Sequence, residues 1–232
     1  AYPTKSDAEL KVLAGAMWEN LGRVFAEGLI LDRIVADPER IQIRFDTLDQ
    51  AVLQRLKEQG GVVVSLHLGN WEVVSQASFA TGVPIAGVYQ KLSNPLVDRV
   101  LYDIRAPHYP DGLLAKGPDT AKKMLTQIRR KRVVAVLADH RDFRGLPAPF
   151  LGATAWLSRV PAVLARAFNT PMIAARVVRE GPGARFSIAF QEITVPHTTS
   201  RDADIDAATL ALNATFEDWI RARPAEWMWI HD

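Results

Sequence analysis

Gly61-Val62-Val63-Val64-Ser65-Leu66-His67-Leu68-Gly69-Asn70-Trp71-Glu72 is the most informative stretch of the chain. Its β-branched run Val62-Val63-Val64 fits a buried strand. Val73 to Ala80 then reads as a helix. A histidine therefore stands at a strand's end, a Gly-Asn turn follows, and a carboxylate lies five residues beyond the imidazole. Within one helix this spacing sends two side chains to different faces. Across a strand-to-helix turn it can fold back and bring Glu72 to His67. Such a pair is a minimal general base: the carboxylate selects the tautomer and stabilises the imidazolium, and the other ring nitrogen takes a proton. The plainer alternative is a buried, satisfied histidine and a helix-start glutamate that complements the helix dipole.

Strands and helices alternate on both sides of this stretch. Ser6 with Glu9 forms a capping box for a long helical pattern to Ile34, in which Glu27 sits among apolar neighbours. Ile41–Phe45 reads as a strand, and Asp46 or Thr47 as the cap of a helix from Leu48 to Gln59. Strands are expected at Pro84–Tyr89, Val133–Ala138, Pro171–Val178 and Arg185–Glu192. Helices are expected at Pro95–Ala106, Gly117–Arg132, Arg159–Asn169 and Asp204–Ala222. The pattern predicts a single α/β domain over residues 1–232, layered, with a central, mostly parallel (mixed) sheet flanked by helices. Ligands of such sheets gather at the carboxyl ends of strands. His67 and Asp139 both stand there.

Composition narrows the function classes. The 232 residues are 48% hydrophobic and 23% charged, an ordinary globular balance. With no cysteine, disulfides and thiolate metal sites are excluded. The net charge is +2, and nucleic acid is not an expected partner. There is no apolar run of about 18 residues that would cross a membrane. Gly-x-Ser-x-Gly is absent. Gly112–Gly117 lacks the Lys and Ser/Thr of a phosphate loop. The five histidines are scattered, so a metal is not expected. The basic stretch Lys116–Arg132 reads either as a solvated face or as a docking site for an acidic partner or a lipid headgroup. Trp227 and Trp229 read as core residues or as membrane-interface residues.

Taken together, these blocks resemble the bacterial lipid A biosynthesis (late, lauroyl/myristoyl-type) acyltransferases, within the lysophospholipid and glycerophosphate acyltransferase superfamily. His67 to Glu72 matches the His-(four)-Asp/Glu block. Tyr89-Gln90-Lys91-Leu92-Ser93-Asn94-Pro95, continued by Asp98-Arg99 and Arg105, is similar to the second block. Asp139–Gly145 with Pro149–Gly152 is similar to the Asp-Gln-Asp and Pro-Phe-Phe-Gly block, with Asp139 and Asp142 both open as its second aspartate. Pro224–His231 is similar to the closing block, and Glu27 falls where the family often has a glutamate.

The resemblance implies a glycerophosphate-acyltransferase-like fold and direct transfer from an acyl thioester, with His67 as base, Glu72 holding it and no cofactor required. It implies substrate binding by Gly69, Asn70, Tyr89, Lys91, Asn94, Arg99, Arg105, Asp139 and Arg141. The Gly69-Asn70 amides and Arg105 or Arg141 are candidate oxyanion donors or phosphate clamps. Acyl carrier protein would be the donor, docking on the basic face around Lys122 and Arg130. A lipid A precursor would be the acceptor, at the cytoplasmic face of the inner membrane. Other acceptors stay open, among them a phosphatidylinositol mannoside or a lipoamino acid, as does a non-catalytic binding member of the fold. The family's usual N-terminal membrane helix has no counterpart in the sequence.

Overall fold

The computed structural model describes residues 1–45 and 48–229. Ser6 caps the first helix, α1 (Asp7–Gly28), through the reciprocal Ser6–Glu9 contacts that the sequence signals. The pattern expected to run to Ile34 breaks at Leu29 and Ile30. A short α2 (Leu31–Val35) follows and buries Leu31 and Ile34. After β1 (Ile41–Arg44) comes α3 (Gln50–Gln59), capped by Asp49, whose carboxylate accepts from the Ala51 amide. The cap expected at Asp46 or Thr47 lies outside the described residues.

β2 (Gly61–Ser65) carries the central apolar run. Beyond it the expected helix forms in two pieces, a 3-10 turn (Trp71–Ser75) and α4 (Gln76–Thr81). Then follow β3 (Ile85–Tyr89), α5 (Pro95–Arg105), β4 (Leu113–Ala115), α6 (Thr120–Arg129) and β5 (Val133–Leu137). β6 (Leu146–Phe150) and β7 (Ala153–Leu157) form a separate two-stranded hairpin. The chain continues through α7 (Val160–Phe168), β8 (Met172–Arg179), β9 (Phe186–Glu192) and α8 (Arg201–Ala222).

The large sheet has the order β1-β9-β8-β2-β5-β3-β4. Neighbours are parallel except β8 and β9, so the sheet is mixed, as expected. Both faces are covered. On one, α6, α7 and α8 pack over Val62, Val64, Val134 and Met172. On the other, α2, α3 and the 3-10 turn pack over Val133, Ala135, Ile173 and Ile188. Burial on both sides is why β2 and β5 read as unbroken apolar runs rather than alternating ones.

The connections after β2 and β5 leave in opposite directions, toward β3 and β8 respectively. That reversal makes the space beyond these two strands the natural ligand crevice of an open α/β sheet. α1 packs beside it, joining Leu21 and Val24 to Trp71.

Candidate active site

Parallel register builds the centre of the site. Ser65 pairs with Leu137, so two residues further along His67 comes level with Asp139. The ladder continues through the Ala138 amide to the Ser65 carbonyl. The Asp139 side chain is fully buried, and its contacts include three with N–H groups. Its Oδ1 lies 2.8 Å from His67 Nδ1. Its Oδ2 accepts from the His67 backbone amide at 2.7 Å and from Trp227 Nε1 at 2.8 Å. All three partners are N–H groups, so the carboxylate accepts each bond. With Nδ1–H donated to it, the neutral imidazole carries its lone pair on Nε2. The His67 ring stays partly open to solvent and stands edge-on to Trp71, with centroids 5.0 Å apart.

The acid on the imidazole is therefore Asp139, where the sequence reading expected Glu72. Glu72 lies in the 3-10 turn, and both of its oxygens accept from Arg105, Nη2 to Oε1 at 2.6 Å and Nε to Oε2 at 2.9 Å. A planar guanidinium offers a carboxylate two parallel donors, which suits Glu72 better than one ring nitrogen does. The pair is half-buried, beside Tyr109 and His108. Burial raises the Tyr109 hydroxyl pKa, and the Glu72 charge adds to this. Burial lowers the pKa of His108, whose Nδ1 lies 3.1 Å from Gln76 Nε2.

The turn that carries His67 is fixed from behind by a buried polar network. Glu27 of α1 forms a two-pronged ion pair with Arg179 at the end of β8, at 2.6 and 2.9 Å. Asn70 Nδ2 donates to Glu27 at 2.8 Å. Asn20 accepts from Arg179 Nε and donates to the carbonyls of Gly69 and Glu226. Glu27 was suspicious from sequence because it interrupts an apolar face, and the network explains it. Arg179 was missed. The available signal was that a buried glutamate needs a cation, and Arg179 is the basic residue just past an apolar strand.

Gly69 has φ +62, and a Cβ there would overlap the Val177 carbonyl oxygen. Gly69→Ala combines a left-handed backbone with this overlap and is expected to cost about 1–3 kcal/mol or more. Thermal unfolding of the purified variant measures it as a lowered Tm.

The other expected site residues divide. The Gly69 amide donates to the Glu226 carbonyl, which occupies the group expected to serve as an oxyanion donor. Asn70 is fully buried, and its side chain caps the turn at the Glu72 amide while donating to Glu27. Asn94 caps α5, accepting from the amides of Leu96 and Val97. Arg99 pairs with Asp103 on an exposed helix face. Lys91 is exposed, and Tyr89 is half-buried beside Tyr102. Arg141 is exposed and lies over the Phe143 ring at 4.5 Å. Of the two aspartates left open, Asp139 holds His67. Asp142 organises its own loop, accepting from Ser158 Oγ and the Arg144 amide. His140, next to Asp139, has a buried Nδ1 with no hydrogen-bond partner among the described residues. Burial lowers its pKa, and Lys116 adds to the effect.

The arrangement can take a proton at His67 while Asp139 stabilises the resulting imidazolium. A search of curated proteins returns no match. The family model described as bacterial lipid A biosynthesis acyltransferase matches residues 1–232, the whole chain, and the protein belongs to that family.

Proposed function

We propose that the protein moves a fatty acyl chain from the thioester of acyl carrier protein to a hydroxyl of a lipid A precursor or related glycolipid. The observation that carries this reading is the 2.8 Å contact between His67 Nδ1 and the buried Asp139 carboxylate, at the open end of two adjacent parallel strands. The acceptor hydroxyl gives its proton to His67 Nε2 as its oxygen attacks the thioester carbonyl. The tetrahedral species expels the thiolate, and the imidazolium returns the proton to sulfur. Acyl group, proton and charge then balance with no covalent enzyme intermediate. A base of this kind is worth roughly 10²–10⁴-fold, and orientation and oxyanion stabilisation add the rest.

Surfaces around the site fit both substrates. Tyr2, Leu10, Leu13, Met17 and Trp229 line an apolar recess of about 380 Å³. Trp229 meets Trp227 edge-on, and Trp227 in turn binds Asp139, so the recess lies two aromatic rings from the imidazole pair. This is where we put the alkyl chain. Trp18 and Phe25 on α1, with Leu29 just past its end, form an exposed stripe, and Leu92, Leu96 and Val100 a second apolar exposure around the start of α5. Aromatic and aliphatic exposure of this kind suits a lipid interface. No helix among the described residues is long and apolar enough to cross a membrane. The two apolar exposures are the surface we assign to the inner membrane's cytoplasmic face.

The basic stretch splits along the sheet. Lys116, Lys122 and Lys123 stand near the carboxyl-end edge, where β4 ends and α6 begins, and Arg129 to Arg132 stand at the opposite end. Only the first group shares an edge with His67, so it is the group assigned to the acidic carrier. Purified protein given acyl carrier protein thioester and a lipid A precursor should yield a lipid heavier by one acyl chain, read by mass spectrometry. Changing Lys122 and Lys123 to Glu should raise KM for the carrier thioester by about tenfold or more without changing turnover of a small acyl thioester. No product with any acyl thioester would overturn the proposal, and an unchanged KM would overturn the docking assignment.

A further inference from the structure

We propose that Trp227 is a positioning residue for the base: its indole N–H, from the segment after α8, sets the orientation of Asp139 and through it the proton affinity of the catalytic imidazole. The inference rests on the reading of His67 as general base.

The carboxylate that holds His67 has only two oxygens to share. Oδ1 faces the ring. Oδ2 faces away from it, toward the His67 amide and Trp227 Nε1. The amide comes with the strand end and is present in any variant that folds. The indole is different, because it comes from residue 227, far from β2 and β5 in sequence. It is buried and packed among neighbours from several parts of the chain. Its backbone bridges to Leu68. Its ring meets Phe150 at 6.2 Å and Trp229 at 4.7 Å, both edge-on. The neighbouring Met228 amide donates to the His67 carbonyl at 3.0 Å. The terminal segment therefore contacts the catalytic residue's backbone and its acid together.

The direction of the effect follows from charge, and the other titratable neighbours of the pair, Lys116 and His140, are the same in both variants. A donor on Oδ2 withdraws electron density from the carboxylate and makes it a weaker acceptor for the imidazolium. Removing the donor strengthens the Asp139–imidazolium attraction, so the base holds its proton to higher pH. It also removes one of the constraints on carboxylate rotation, so fewer molecules present the ring correctly.

The test compares Trp227→Phe with Trp229→Phe in the full chain. The first keeps an aromatic ring and deletes the N–H on Asp139. The second deletes an N–H that donates to the Pro224 carbonyl in the same segment, away from Asp139. Trp227→Phe should move the acid limb of kcat/KM against pH upward by about half a unit to one unit and lower kcat/KM at neutral pH by roughly tenfold. It should also shift the proton resonance of His67 Nδ1–H in the resting protein. Trp229→Phe should change thermal stability and, because Trp229 lines the recess given to the alkyl chain, KM for a long-chain donor, while leaving the acid limb and that resonance in place. An unmoved limb and resonance in Trp227→Phe, with His67→Ala inactive, would overturn the positioning role alone. An active His67→Ala would overturn the base reading beneath it. Equal shifts in both tryptophan variants would reduce Trp227 to a packing residue.

Discussion

Asp139→Asn is expected to lower kcat about 10²–10⁴-fold, as deep a loss as His67→Ala, while the protein still folds. The amide nearly matches the carboxylate in size, and its oxygen can still accept from the His67 backbone and Trp227. It cannot stabilise an imidazolium by charge. If its NH₂ turns toward the ring it donates to Nδ1 and forces the ring proton onto Nε2, the nitrogen required as base. The expected stability loss is only about 1–3 kcal/mol, the range for one compromised buried hydrogen bond. Glu72→Gln acts elsewhere: it weakens the hold on Arg105 and leaves the Nδ1 contact intact. Steady-state kinetics beside thermal unfolding separate these effects. An Asp139→Asn protein that folds and keeps wild-type turnover would remove the carboxylate from the chemistry.

The second large effect is on the fold. Arg179→Met is expected to destabilise the protein by about 3–5 kcal/mol, the range for leaving a buried ion-pair partner uncompensated. Glu27 is almost wholly inside, with one oxygen shared by Arg179 and Asn70. Without the guanidinium it keeps one amide donor and no counter-charge. Adding Glu27→Gln should recover part of the loss, because the stranded charge is then gone. Since Asn70 and Asn20 hold the turn after His67 through this network, Arg179→Met should also reduce turnover at temperatures where the protein is folded. Denaturant unfolding of the two single variants and the double variant gives the coupling directly. Additive losses would show that Glu27 and Arg179 act independently.

Much of this was legible in the sequence, and what was not has identifiable physical reasons. Continuous apolar runs at 61–64 and 133–138 gave two buried strands, and so put His67 and Asp139 at strand ends. The sequence could not give the register that makes them level, because pairing between distant strands is set by tertiary packing. Local spacing therefore favoured Glu72 as the imidazole's partner, and a guanidinium from α5 took that carboxylate instead. β4 was missed because three residues carry too little pattern. β6 was hidden by Pro147 and Pro149, which are tolerated because the hairpin offers this strand only one partner. Asn94 matched a block of the resemblance, yet its side chain serves as a helix cap, a role that Asn-Pro at a helix start also signals.

The most direct test is the tautomer of His67 in the resting protein, read by nitrogen-15 NMR of the imidazole. The account predicts the proton on Nδ1 in the wild type and in Glu72→Gln, and its loss from that position in Asp139→Asn. A ring unaffected by Asp139→Asn but switched by Glu72→Gln would contradict it.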